Sequence, residues 1–198
     1  MVCDRGKQHA HGILGEMMRP RIKAFVRMVA ETLPIYEPIY EFGSLRVDNQ
    51  DIPANLRPIF PGTEYIGCDM RAGRGVDRVL NLHSIDLPDE TAGTVLCLDT
   101  MEHVEYPHLA LEEMYRILRP GGICVISSVM HFKIHSYPDD YWRFTPSGFK
   151  SLLKPFDNSW VGWRGAERFP HTVVGIGLKG PIDLDAFLQR WEERCEAC

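Results

Sequence analysis

The sequence predicts an α/β protein with a mostly parallel sheet and helices on both faces. Two observations carry that expectation. Short apolar runs occur at Ile39 to Phe42, Tyr65 to Cys68, Thr94 to Leu98 and Ile123 to Val129. Most are separated by helical or loop-forming segments rather than by two-residue hairpin turns. The chain has 198 residues, of which 44% are hydrophobic and 25% charged. That balance is globular, and the length suits one buried core.

The elements are taken in chain order. Residues 1–16 read as a flexible, Gly- and His-containing lead, and 17–198 as a single domain. Met18, Ile22, Phe25, Val26, Val29 and Leu33 recur at threes and fours, as on one face of a helix that stops before Pro34. The first strand, Ile39 to Phe42, closes at Gly43 and Ser44. The stretch 47–62 is polar and Pro-punctuated, a loop with or without a short helix. A second strand ends at Asp69, before the glycine-rich run Arg71 to Gly75, and Asp77 to Leu82 is a third short strand. A fourth ends at Asp99. Ala110, Leu111, Met114, Ile117 and Leu118 form one helix face, stopped by Pro120 and turned by Gly121-Gly122 into the fifth strand. Phe149, Leu152 and Leu153 mark a helix after Pro146. Trp160 to Trp163 and Thr172 to Leu178 form a closing antiparallel pair, and the last helix runs near Leu184 to Cys195.

Several functions are disfavoured. The formal charge of −5 leaves no basic footprint for nucleic acid. The basic group Arg19, Arg21, Lys23 and Arg27 reads as a solvated helix face. No eighteen-residue apolar run suggests a membrane span, and no leader with a small-residue cleavage site is seen, so a cytoplasmic location is expected. Cys195 and Cys198 have metal or redox spacing but no second pair at matching distance. No metal is expected, and the oligomeric state is open.

In an open α/β sheet, ligands bind beyond the carboxyl ends of the strands. The residues there are Gly43 and Ser44, Asp69 and Met70, Asn81 to His83, Asp99 and Thr100, and Ser127 to His131. An acidic side chain after the second strand can accept both hydroxyl hydrogen bonds of a ribose, and Asp69 stands 26 residues beyond Gly43, near the spacing for that role. The three-glycine dinucleotide fingerprint is absent, since Ser44, Leu45 and Arg46 come after Gly43. A pyrophosphate needs that turn, and a sulfonium cofactor does not.

The segment Thr94-Val-Leu-Cys-Leu-Asp-Thr-Met-Glu-His-Val104, with Pro107, Glu112, Glu113 and Arg116-Ile-Leu-Arg-Pro-Gly-Gly122, resembles the class I S-adenosylmethionine-dependent methyltransferases, in a small single-domain bacterial-type branch. The resemblance implies their Rossmann-like fold, with its C-terminal antiparallel strand pair, and S-adenosyl-L-methionine as cofactor. It implies that Glu41, Phe42, Gly43 and Ser44 pack on the methionine part. Asp69 would hold the ribose and Met70 line the adenine. Asn81, Leu82 and His83 would contact the adenine, and Asp99 and Thr100 lie beside the cofactor. Glu102 and His103 match a Glu-His pair that is more often structural than chemical. The first loop departs from the family's glycine-rich form at Ser44, Leu45 and Arg46.

The segment His135-Ser-Tyr-Pro-Asp-Asp-Tyr-Trp-Arg-Phe-Thr-Pro146 comes after the fifth strand, on the acceptor side of such a fold. Tyr141, Trp142 and Arg143 are the expected substrate contacts. His131, His135, Tyr137 and Asp139 are the candidate bases for a hydroxyl or ammonium acceptor. A structural alternative pairs Arg143 with Asp139 or Asp140. The acceptor expected is a small or saccharide-like molecule. Two other readings are a catalytically degenerate binding module and a nucleotide-dependent oxidoreductase. The altered first loop favours the former, and the missing glycine fingerprint opposes the latter.

Overall fold

The computed structural model describes residues 8–46, 55–135 and 138–196, with side chains from Pro20 to Arg194 within those ranges. Its elements are α1 (Gln8–Thr32), β1 (Ile39–Phe42), β2 (Tyr65–Asp69), β3 (Arg78–Val79), β4 (Ala92–Leu98), α2 (Pro107–Ile117), β5 (Leu118–Val129), α3 (Pro146–Leu152), β6 (Asn158–Ala166), β7 (Phe169–Leu178) and α4 (Asp185–Glu196). Short 3-10 turns cover Arg57–Ile59 and Met101–His103. No helix among the described residues is long and apolar enough to cross a membrane.

Seven strands form one sheet in the order β3-β2-β1-β4-β5-β7-β6. β1 to β5 run parallel, and β7 lies antiparallel between β5 and β6. The order reverses beside β1, so a crevice is expected where the chain leaves β1 and β4 in opposite directions.

The two faces are covered by different helices. Ile22, Phe25, Val26, Val29 and Leu33 of α1, with Phe187 of α4, pack on Ile39, Leu96, Val125 and Ile176. Ala110, Leu111, Met114 and Ile117 of α2, with Phe149 of α3, pack on Tyr40, Phe42, Val95, Cys97 and Ile126. The period-2 alternation of each strand and the period-3.6 stripe of each helix produce these two cores. Cys68, Cys97 and Cys124 are buried reduced thiols.

Three differences from the sequence expectation have physical causes. Residues 8–16, read as part of a lead, are helical in backbone: Ala10, Leu14 and Glu16 are strong helix formers, although glycines dilute their apolar spacing. Residues 1–7 lie outside the described residues, as do 47–54 of the loop before β2. The helix expected to run to Pro120 ends at Ile117, and Leu118 already has extended backbone (φ −68°, ψ 136°). Arg119 precedes a proline and is disfavoured as helical. The Pro120–Gly122 turn instead lies inside β5, where the register with β4 shifts between Ala92 and Thr94. Gly121 there has φ +82°, and its N–H donates to the Lys179 carbonyl at 2.7 Å. The third strand is only Arg78–Val79.

Phe25, Trp160, Phe187 and Trp191 form one aromatic cluster joining α1, β6 and α4, with ring centroids 4.7 to 6.5 Å apart. Phe187 is fully buried in it. Phe187→Ala is expected to cost about 3–5 kcal/mol in a urea unfolding titration, and a loss under 1 kcal/mol would mean that α4 contributes little to the fold.

Candidate functional site

The polar groups at the carboxyl ends of β1, β2, β4 and β5 converge, and the backbone leaving each strand decides where. Phe42 ends β1, and Gly43 turns with φ +81°. A Cβ at Gly43 would stand 2.0 Å from Thr100 Oγ1, so glycine is required for the close approach of β1's end to β4's. Thr100 Oγ1 donates to the Leu98 carbonyl at 3.0 Å and approaches the Phe42 carbonyl at 3.5 Å. Thr100 therefore floors the gap between β1 and β4. Ser44 is buried and turns toward β2. Its N–H and hydroxyl, with the Gly43 N–H, all donate to the Cys68 carbonyl, at 2.9 to 3.1 Å.

Glu41 points to the α1 side of the sheet, where Tyr65 Oη donates to its Oε2 at 2.8 Å. Burial pushes the Glu41 carboxyl up to about 7, against the Tyr65 hydrogen bond and the cations Arg46 and Arg57. Arg57 in turn donates to the Tyr65 carbonyl and pairs with Asp77. Of the four first-loop residues expected to meet the cofactor, Phe42 is in the core and Glu41 in this buried network, while Gly43 and Ser44 shape the loop.

Asp69 ends β2. Its Oδ1 accepts the Arg71 N–H at 3.0 Å, and Oδ2 has no partner among the described residues. Met70 beside it is exposed. After β3, Asn81 Oδ1 accepts the His83 N–H at 2.9 Å, an Asx turn that holds Asn81 to His83 at the surface. Leu82 packs on the core. His83 Nε2 accepts the Tyr106 N–H at 3.2 Å, which ties this segment to the start of α2.

Asp99 leaves β4 with φ +47°. Its N–H donates to the Ser127 carbonyl and hydroxyl, at 3.0 and 2.9 Å, and Ser127 Oγ donates back to Asp99 Oδ1 at 2.8 Å. Aspartate tolerates the left-handed region better than most residues. The turn then buries Glu102, which is 1% exposed. Ser128 Oγ donates to Glu102 Oε2 at 2.7 Å. Burial, then the Asp99 charge, push the Glu102 carboxyl up to about 8.

The loop after β5 folds back over this turn. The Tyr141 and Trp142 N–H groups donate to the Glu102 carbonyl, at 2.8 and 3.2 Å. Trp142 Nε1 donates to the Val104 and Glu105 carbonyls, while the side chain stays 44% exposed. Tyr141 is also exposed, and its hydroxyl donates to Asp139 at 3.3 Å. Arg143 forms a two-point ion pair with Asp140, at 2.5 and 2.7 Å, and donates to the Phe132, Lys133 and Trp142 carbonyls. The structure thus places Arg143 in the internal pair that the sequence left open, with Asp140 as partner. Asp140 is held well below the usual carboxylate range by Arg143.

Among the candidate bases, His131 is exposed at the end of β5, its ring 4.1 Å from that of Phe169. Asp139 is exposed, and its carbonyl accepts from His103 Nδ1 at 2.5 Å. His135 Nδ1 lies 3.1 Å from Asp140 Oδ2. Tyr137 lies outside the described residues, as does Cys198; the Cys195 side chain is likewise not described. Sequence spacing does not join His103 to His135, whose rings meet edge-on at 4.7 Å. The pairing of Leu98 with Ser127 is the signal that could have joined them, since it brings the residues after β4 and β5 to one level.

Residues 64–126 match the family described as a methyltransferase domain. No curated protein matches the sequence. Among solved structures, an S-adenosylmethionine-dependent methyltransferase of Archaeoglobus fulgidus is similar at TM-score 0.60 and 16% identity, over 81% of this chain and 94% of that one. One of Thermotoga maritima is similar at TM-score 0.57 and 18% identity, over 85% of this chain and 97% of that one. The cyclase SpnF is similar at TM-score 0.57 and 11% identity, over 80% and 82%. The fold is the class I methyltransferase fold. In that fold, the β1–β4 crevice and the loop after β5 share one end of the sheet, and the strand-end residues of this chain occupy it.

Two outcomes are expected. The Glu41 carboxyl has its pKa raised on folding, so its neutral form is favoured in the folded state. Its contribution is complete below the ordinary carboxylate pKa and is lost as pH rises through about 7. Stability should fall by about 2 kcal/mol between pH 5 and 8 from this group. Glu41→Gln should flatten that slope in urea titrations run across the range, and an unchanged slope would remove Glu41 as its source. Arg143→Lys keeps the charge but loses the fork. It should lower stability by about 1–3 kcal/mol, and wild-type thermal melting would show that the loop does not depend on the Asp140 pair.

Proposed function

We propose that this chain transfers the methyl group of S-adenosyl-L-methionine to a small-molecule acceptor. The observation that carries the reading is Asp69, an acidic side chain with an unengaged oxygen at the end of β2, beside the crevice between β1 and β4. A ribose diol needs such an acceptor there. Asp69 would hold the ribose, with Met70 and the Asn81–His83 segment beside the adenine. Gly43 and the Thr100 floor would support the methionine part, with Asp99 near the sulfonium. The bound cofactor supplies an already activated methyl.

What the chain's own residues add is position and exclusion of water. The exposed faces of Tyr141 and Trp142 form the acceptor wall, and the indole's pinned N–H fixes its ring in place. His131 and Asp139 keep solvent access, as a base for a hydroxyl or ammonium acceptor requires. His135 is oriented by Asp140 instead. Arg143 acts through Asp140, setting the loop rather than gripping an acceptor. A second reading, a binding module without turnover, is favoured by one feature: Thr100 rather than open space lies against Gly43.

Calorimetry with S-adenosylhomocysteine tests the first reading. One site per chain is expected, with no comparable binding of NAD. Asp69→Ala should weaken it by about 1.5–3 kcal/mol while the melting temperature of the free protein holds. Wild-type affinity in that variant would refute the ribose role. Binding with no methyl release to a panel of hydroxyl and amine acceptors would favour the second reading.

A further inference from the structure

We propose that Glu102, His103 and His135 form a binding site for a divalent first-row transition-metal ion at the carboxyl ends of β4 and β5. One ligand atom from each of the three lies within 4.8 Å of the other two. Three features make this more than a chance grouping of polar side chains.

The histidines are prepared as ligands. His103 Nδ1 faces the Asp139 carbonyl oxygen at 2.5 Å. His135 Nδ1 faces Asp140 Oδ2 at 3.1 Å and the Lys133 carbonyl at 3.3 Å. A carbonyl oxygen can only accept, and both Asp140 oxygens already accept from Arg143, so each Nδ1 faces an acceptor and is placed to donate. In neutral rings that leaves Nε2 as the lone pair. A metal-binding imidazole is commonly set in this way, by a carboxylate or carbonyl behind it. Arg143, bonded to Asp140 at two points, braces the histidine's partner in its turn.

The acidic side chain is oriented and has no cationic partner among the described residues. Glu102 is 1% exposed and accepts the Ser128 hydroxyl, yet forms no ion pair among the described residues. Asp99, close by, adds negative charge. A buried carboxylate beside another is costly without a cation or a proton, and a divalent ion meets that need.

The donor set and its spacing select the ion. Two imidazoles and one carboxylate suit zinc, iron or manganese rather than calcium or magnesium. Ligands at zinc's usual bond lengths stand roughly 3.3 Å apart. Side-chain rotation must therefore close the present spacing by up to about 1.5 Å. Three protein ligands also leave positions open, as catalytic rather than structural sites do. Those positions would take an oxygen ligand from solvent or from the acceptor. That last step rests on the methyl-transfer reading, but the metal site does not.

The test uses the full chain with Cys195→Ser and Cys198→Ser, so that terminal thiols do not compete. After chelator treatment, Zn2+ is titrated with no cofactor present, by calorimetry and thermal melting, and Co2+ is followed by visible absorption. The proposal expects one Zn2+ per chain and a raised melting temperature. It also expects at least a ten-fold weaker Kd in His103→Ala and in His135→Gln. Asp140→Asn should weaken binding about ten-fold without changing the stoichiometry, and His108→Ala should leave it alone. Either of two results overturns the site: no Zn2+-dependent rise in melting temperature for the chain with its histidines intact, or uptake that survives both histidine changes. The first is read without any site variant, so a variant that fails to fold does not decide the matter. Cofactor binding is measured separately, so failure of either reading is told from failure of the other.

Discussion

Between the ends of β4 and β5, Asp99 and Ser127 exchange three hydrogen bonds, two donated by the Asp99 backbone N–H and one returned by the serine hydroxyl. A parallel pair must end somewhere, and its last backbone groups must be satisfied without a further strand residue. Here a side chain does this on both sides. The bonds hold Asp99 in the left-handed region, and that sharp exit brings the Met101–His103 turn down onto β5. Glu102 is then buried against Ser128, and its carbonyl receives the Tyr141 and Trp142 N–H groups. The loop carrying Tyr141 and Trp142 is thus hung from a turn whose shape one serine sets. The Arg143–Asp140 pair closes the same loop from its other side.

The same constraint explains which features are legible in the sequence. Strand cores and helix stripes are visible because they depend on local period, and Ile39–Phe42 and Tyr65–Asp69 fall where the apolar runs put them. Asp69, Asp99 and Thr100 can be located because a strand's end is a local feature. Residues that act at a distance are not legible. Arg116 belongs to the run that suggests the family, yet its work is to bond the Ile85 and Leu87 carbonyls and Asp89, some thirty positions away in the chain. With Glu113, which accepts the Ile85 N–H, it fastens the entry to β4 onto α2. Nothing in spacing reveals that. The meeting of His103 and His135 requires the strand order, and the choice of Asp140 over Asp139 for Arg143 requires the loop's actual turn. The Pro120–Gly122 turn misleads for a simpler reason: the same three residues can end a helix or bulge a strand, and only the pairing with β4 and β7 decides.

Fold likeness alone cannot decide the chemistry. A methyltransferase and the cyclase SpnF are similar to this chain at the same TM-score, so the sheet order does not choose between reactions. Local features have to choose. Ser44 turns to β2 and Thr100 stands against Gly43, so the floor of the crevice is a threonine side chain rather than bare glycine backbone. A group lying there would meet a methyl and a hydroxyl already committed to Leu98. That surface favours the uncharged stem of an amino acid over a pyrophosphate, which needs free N–H groups. The N–H groups of Gly43 and Ser44 are both spent on Cys68.

On the proposed methyl-transfer reading, the loop after β5 would be built on the opposite principle. Arg143 and Asp140 are paired with each other, so on that reading selectivity would fall to what stays exposed: the rings of Tyr141 and Trp142 and the side chains of His131 and Asp139. Aromatic faces pinned at one edge offer rigid contact at small entropic cost, and they discriminate by shape and planarity rather than by charge. A strongly charged acceptor would find no unpaired arginine among these groups, because Arg143 gives both ends of its fork to Asp140. On the proposed reading the loop would thus trade electrostatic capture for a fixed wall. An acceptor matched to that proposed wall would have a flat or apolar body and one nucleophilic atom within reach of the strand ends.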